Sequence, residues 1–590
     1  MTPAADAYDC RRMSHIDRGG RPPLSHVRSV VAAHRLETAG FAAILVVAAF
    51  LRLEHIQSRA YWDSDQGQIM LAIWNVLHTG TIPQLGQPVS ASAFHHGALY
   101  YDLMVPGAWL SGGLPIGVLL ETALGGFVVV PMVWWVARSI GGAAAGLAAA
   151  VLAATSGGLV YFSARIWNPT LVEPGAALAL LGAWQAWSSR RPVWLLAAAA
   201  GTAVAMQSEI AAGVLVLPMS GVLIALLCRG PAGQRRRIAL WGAAGVALIV
   251  ATYVPFIVYE VNHDFAESRA ILAFVLGKDQ PVVASSGPVN KIAVSGLRIL
   301  AWPLTGWPNW GVNSNLGPAI GAAGALACGL AWRLVATWRP LGQQAHGPQA
   351  GSATSQAESA TSQADGSGGP QPDAAGPSPS AGELRHRERD GTWLVVVCLG
   401  VMILALGLGM SNTSKIGPIF PEQIHIAADP FVIVGAGIVL GSLWRLQAHR
   451  NWARVAGRLL YVAALAASVS MSVGQWPGSP NPWNWHAAQA AVKRIEQRAA
   501  GKTIALVGMP GNKTADAYTF PLVVDGATLA TPDSASILVI LCDSTWNRSC
   551  GGHLEGKWLA SQTYASAFHL LDRFTAAPGR TLSVYGRQSS

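Results

Sequence analysis

Charge is scarce in this chain. Only 12% of its 590 residues are Asp, Glu, Lys or Arg, while 52% are hydrophobic, against about a quarter charged in an ordinary soluble domain. That balance, with a mean hydropathy of +0.36, excludes a soluble globular enzyme and leaves an integral membrane protein. Cysteine is also rare. The six are scattered, and only Cys542 and Cys550 stand close together, in a polar region where a local disulfide needs an oxidising compartment; a structural thiol pair or two free thiols reads equally well. The spacing of a phosphate-binding P-loop is missing, because Gly508-Met-Pro-Gly-Asn-Lys513 has glycines at the wrong separation. A short secretory segment with a cleavage site is missing too. The Arg-rich stretch through Arg35 leads into a full-length apolar run, which predicts a retained membrane anchor.

What is present is a series of apolar runs, near 37–53, 116–137, 143–162, 170–187, 192–208, 211–228, 239–259, 314–336, 392–410, 427–445 and 455–473, each long enough to cross roughly 30 Å of hydrocarbon. About eleven spanning helices follow, with two weaker segments at 97–111 and 293–308 as partial or interfacial spans. The formal charge of +10 does not point to nucleic acid. Its residues come in short groups at the ends of runs, including Arg138, Arg190-Arg191, the Arg229–Arg237 group, Arg333 with Arg339, and the Arg445–Arg454 group, the pattern of cytoplasmic helix ends. Alternation then puts residues 1–35 inside and the tail outside, with long outer loops at 54–115 and 260–313.

Residues 340–391 are rich in Gln, Ser, Ala, Gly, Pro and Asp, too poor in apolar area to offset the entropy of folding; they read as a disordered cytoplasmic linker within a membrane domain of residues 36–475. Beyond it, residues 476–590 contain an amphipathic stretch at Ala488–Ala500 and two apolar bursts, Thr503–Gly508 and Ser536–Leu541. Buried strands of a small extracytoplasmic α/β domain explain both bursts.

The first outer loop carries Tyr61-Trp-Asp-Ser-Asp-Gln-Gly-Gln68. Its two acids share a face if extended and diverge on a helix. They read either as hydrated juxtamembrane acids capping a helix or as a functional pair. Downstream lie Phe94-His-His-Gly-Ala-Leu-Tyr-Tyr101 and Ser163-Ala-Arg-Ile-Trp-Asn168.

Taken with their order and face, these segments resemble the GT-C glycosyltransferases, in particular the bacterial ArnT-like and protein O-mannosyltransferase-like branch (glycosyltransferase family 39-like). The resemblance implies a GT-C-like helical bundle with a catalytic outer loop at 54–115. It implies transfer of a sugar from a polyprenyl-phosphate-linked donor to a cell-envelope glycan, lipid or protein acceptor, at the outer face of a bacterial plasma membrane. In that family the first-loop acid is catalytic, which maps to Asp63 and Asp65 with Asp63 favoured. The resemblance further implies donor phosphate and lipid contacts from Arg165, Lys415 and His425, and substrate contacts from His95, His96, Tyr100, Asn168 and Glu173. The chain departs from the family at Ala98, where Pro is common, and at Asn168, near which many relatives carry a second acid. A divalent cation held by Asp65 is therefore left open.

The chemistry suits the residue types. Inverting transfer from a lipid-phosphate sugar needs a base to take the acceptor proton, and cations or hydrogen-bond donors for the departing phosphate. Lys291 and Arg298 are also on the outer side by topology, where they could equally anchor a loop. The competing reading is a multi-pass lipid or solute transporter or flippase, with Glu173, Gln207 and Glu209 along a path; no inverted repeat is visible to support it.

Overall fold

The described residues of all eleven apolar runs lie largely on helices. The computed structural model describes residues 35–89, 94–276, 287–306, 316–338, 381–409, 422–446, 451–474, 476, 480–509, 515–544 and 550–588. Among these, seven helices are long and apolar enough to cross a membrane, or eight if the bent pair Ala232–Thr252 and Val254–Asn262 counts as one span. The chain is an integral multi-pass membrane protein.

The lower number arises from how the runs are cut. Pro115–Thr155 holds one of them and most of the next in 41 residues, broken where Gly142 adopts φ 76°, a left-handed conformation that glycine tolerates without a steric cost. Val172–Ser189 is preceded by a 3₁₀ turn at Asn168–Leu171, and Trp194–Ser208 has 15 residues. The weaker segments are also helical, as Leu99–Leu110 and Pro288–Thr305.

The helix Ile426–Trp444 sits at the centre of the bundle, 83% buried, packed against Pro115–Thr155, where Gly437 and Gly441 meet the backbone of Ala145. Small residues at such crossings let helices approach in lipid, where packing rather than hydrophobic expulsion drives association. The peripheral spans keep apolar side chains outward, with Val46, Ile224 and Leu240 among the exposed ones, as a lipid-facing surface requires.

The interval expected to be a linker is partly helix. Residues 381–391 form the first turns of Ala381–Gly409, because Glu388 is gripped by Arg333 and by Arg445 at 2.7 Å, and Asp390 accepts from the Trp187 indole at 3.2 Å. Composition alone could not register those partners. The remainder of the interval, 340–380, lies outside the described residues.

The tail is the α/β domain that the apolar bursts predict. Helix Trp485–Ala499, capped by Asn484, precedes β1 (Ile504–Met509), helix Asp516–Val524, β2 (Ile537–Asp543), β3 (Phe568–Ala577) and β4 (Arg580–Arg587). The sheet order is β1-β2-β4-β3, with β1 and β2 parallel and the rest antiparallel. All seven residues of β2 are buried, which explains its unbroken apolar run. Cys542 and Cys550 form a disulfide. The domain is not tethered loosely: one apolar cluster joins Trp62, Ile69, Tyr101 and Met104 of the membrane part to Trp485, Phe520, Val539 and Leu582 of the tail.

Candidate active site

Tyr61 to Asp63 run into the helix Ser64–Thr79, and Asp63 is its N-cap in extended backbone. The Asp63 carboxylate accepts from the third helical N–H, while the Asp63 N–H donates to Gln66 Oε1 at 2.9 Å. This capping box satisfies donors that a helix start otherwise leaves unpaired. Gln66 Nε2 in turn donates to the Ile166 carbonyl at 3.0 Å, tying the acid-bearing turn to the stretch before Asn168. Next to it, Gly67 is compelled by contact: a Cβ there would lie 2.1 Å from the Asp516 carbonyl oxygen.

Asp63 is then closed from above by the tail. Arg580 Nη2 lies 2.8 Å from Asp63 Oδ1, and the Tyr61 hydroxyl donates to Asp63 Oδ2 at 3.0 Å. The same guanidinium reaches Asp543 at 3.3 Å and the carbonyl of Trp62 at 3.2 Å. Burial opposes the charge on Arg580, but Asp63, Tyr61, Tyr518 and Asp543 outweigh it and raise its pKa. Burial, reinforced by Asp63, pushes the Tyr61 phenol up to about 12, so Tyr61 remains a donor. Asp63 is thus a buried, ion-paired carboxylate. Asp65, two residues on, is only partly buried and lies within electrostatic reach of Tyr101. The structure brings the two acids to one helix start and gives them different surroundings.

Arg165 is at the same place. Its guanidinium stacks 3.7 Å from the centre of the Tyr161 ring and 5.2 Å from that of Tyr61, which already contacts Asp63. Burial lowers its pKa against the pull of those two tyrosines. Among the described residues it forms no ion pair.

The remaining sequence candidates separate into other groups. His95 binds Glu267 twice, its N–H to Oε2 at 2.7 Å and its ring Nδ1 to Oε1 at 2.9 Å. His96 is buried, and burial, with His95 adding, pulls its pKa down to about 4. Tyr100 is buried beside Thr170 and Trp167. Asn168 is 1% exposed, and both its amide nitrogen and its oxygen lack a hydrogen-bond partner among the described residues. Glu173 is buried against the carboxyl of Asp429 and beside the guanidinium of Arg52. Arg52 donates to the Ala153 and Ala154 carbonyls, both at 3.1 Å. His425 is buried just before Asp429, and Lys415 lies outside the described residues. On Pro288–Thr305, Lys291, Ser295 and Arg298 are all buried, at the i, i+4, i+7 spacing of a single helical face.

Sequence reasoning missed Arg580, Asp429, Arg52 and Glu267. For Asp429 and Arg52 a signal was available, since each is an ionisable residue at the edge of an apolar run, where such groups are rare and tend to be functional. For Arg580 there was none: it follows Gly579 at a strand start like many surface arginines.

Asp63's oxygens are occupied by Arg580 and Tyr61. Among the described residues the only grouping of three candidate ligands is Cys542, Cys550 and Glu555, whose sulfurs are bonded to each other and whose carboxylate accepts from Gly551, Arg573 and Tyr585.

No family model matches the chain, and no curated protein matches it in sequence. Solved structures do. The crystal structure of ArnT from Cupriavidus metallidurans bound to undecaprenyl phosphate aligns over 92% of this chain and 97% of its own, with a TM-score of 0.51 at 12% identity. The chain has the GT-C fold. The apo form of the same ArnT aligns over 95% of this chain and 98% of its own, with a TM-score of 0.51 at 13% identity. Coverage from end to end means that the GT-C likeness includes both the helical bundle and the sheet domain docked on Asp63.

Proposed function

We propose that this chain transfers a glycosyl group from a polyprenyl-phosphate-linked donor to a cell-envelope glycan, lipid or protein acceptor, at the outer face of a bacterial plasma membrane. The observation that carries the reading is the position of Asp63 and Asp65: they begin a first-loop helix at the seam between a GT-C bundle and its sheet domain, beside Arg165. Asp65 is the base for the acceptor hydroxyl. Asp63, with its oxygens engaged by Arg580 and Tyr61, is a poorer proton acceptor and fixes the turn that presents Asp65. As the acceptor oxygen attacks the anomeric carbon, the bond to the donor phosphate breaks and the phosphate leaves with its electron pair. Arg165, with its charge held beside Tyr61, stabilises the leaving oxygens. Lys291, Arg298 and His425 supply further positive charge or donors along the lipid phosphate, a ligand that the aligned ArnT structure contains. No step is routed through a metal ion.

The disulfide supports an outer tail, since such bonds persist in oxidising compartments. The reading is tested with the purified full chain in proteoliposomes, radiolabelled polyprenyl-phosphate sugars and envelope fractions. Label should move to an acceptor in the parent and not in Asp65→Asn.

One observation favours the transporter reading: Glu173, Asp429 and Arg52 form a buried ionisable group where three helices of the bundle meet. Movement of a labelled lipid or solute across the vesicle without any glycosylated product would select it.

A further inference from the structure

The other end of the bundle has a cavity of about 510 Å³. The helix Val172–Ser189 connects the two ends: its first turn follows Asn168, and it stops at Arg190 after 18 residues, about 27 Å away at the helical rise. The cavity is walled by Trp187 and Arg190 at that end, by Arg229 at the end of Val216–Arg229, and by Arg387, Arg389 and Asp390 on Ala381–Gly409.

Its charges are unbalanced. Asp390 is the one carboxylate in the wall, and it is engaged by Arg389 at 3.4 Å and by the Trp187 indole at 3.2 Å. Arg190, Arg229 and Arg387 form no ion pair among the described residues. Elsewhere at this end the bundle does pair its arginines, with Arg333 and Arg445 both on Glu388. Arg229 lies 5.7 Å from the centre of the Trp187 ring. Arg190 is held at φ 55°, ψ 24° as the C-cap of its helix, a left-handed position that glycine fills more easily. Around the cavity the surface is apolar and outward-facing, with Ile224 58% and Leu240 60% exposed on the flanking helices.

Three unpaired guanidiniums at a concave membrane boundary, with an indole beside them and lipid-facing helices on either side, fit an anion joined to hydrocarbon. We propose that the cavity binds the phosphate headgroup of an anionic phospholipid, in the leaflet opposite the first-loop acids. Guanidinium forks match phosphate oxygens, and basic recesses between spanning helices bind anionic headgroups. The acyl chains lie along the apolar faces that carry Ile224 and Leu240. The site is separate from the glycosyl-transfer chemistry, and its assignment does not rest on it.

The test uses the full chain purified in detergent, with bound lipid followed by native mass spectrometry during titration with phosphatidylglycerol, phosphatidylcholine or inorganic phosphate. The parent should retain phosphatidylglycerol in preference to phosphatidylcholine. Arg229→Gln and Arg387→Gln should each weaken retention about fivefold, as expected for one basic contact to an anionic headgroup. Arg190→Gly should do the same while leaving the melting temperature unchanged or higher, because it relieves the left-handed backbone and so separates lost binding from lost folding. Arg236→Gln, outside the cavity, should bind like the parent. Equal retention of the two lipids, or parental retention in the triple variant Arg190→Gly, Arg229→Gln, Arg387→Gln, overturns the proposal. So does complete displacement of the lipid by millimolar inorganic phosphate, which would assign the site to a soluble phosphate.

Discussion

Arg580 and Asp63, near opposite ends of the chain, meet at 2.8 Å, and both side chains are at least nine-tenths buried. Removing Arg580 strands the buried carboxylates of Asp63 and Asp543, at a cost of about 3–5 kcal/mol, whereas removing Asp63 costs less because Arg580 keeps Asp543. Arg580→Gln and Asp63→Asn should therefore each lower the melting temperature and expose the connection before Trp485 to protease. The double variant should lose less than the sum of the two, and strict additivity in a double-mutant cycle would mean that the pair is not coupled.

Asp65 should behave differently. It is a partly buried residue of the first helical turn, where a carboxylate interacts with the helix dipole by about 0.3–1 kcal/mol. If it is the base, Asp65→Asn should lower the turnover of donor and acceptor at saturation by about 10²–10⁴-fold. A folded Asp65→Asn protein with parental turnover would remove it from the chemistry.

His96 gives a pH dependence with a defined sign. Burial holds its folded pKa near 4, below the ordinary value of about 6.5, so the unfolded chain binds the proton more readily in between. Its contribution is complete above about pH 6.5 and is lost as the pH falls toward 4, by up to about 3 kcal/mol. Thermal unfolding between those values should show the loss, and His96→Gln should flatten that part of the profile. An unchanged profile would place the acid sensitivity elsewhere.

The Cys542–Cys550 bond closes a short loop between β2 and the helix His553–Ala560. A loop of that length gives about 2–3 kcal/mol by the chain-entropy model. Reduction, or Cys550→Ser, should lower the stability of the tail by that amount. Intact mass before and after reductant reports the bond, and a protein made in an oxidising compartment that carries free thiols at both positions would contradict it.

The amino-acid sequence by itself determined the helices, the two buried strands and the acids of the first loop, because hydrophobic period and run length are local properties. It also located the basic helix ends, although not the cavity that three of those arginines share. The residues 381–391 show the limit: their composition reads as linker, yet Arg333, Arg445 and Trp187 hold Glu388 and Asp390 and make them helix. Only the tertiary structure decided that Asp63 is buried against Arg580 while Asp65 is only partly buried, that Glu173 faces Asp429 and Arg52, and that Cys542 meets Cys550. The physical reason is that a carboxylate's chemistry is set by the charges and donors within a few ångströms of it. In this fold those groups come from segments hundreds of residues away, brought together by a core that joins the membrane bundle to the sheet.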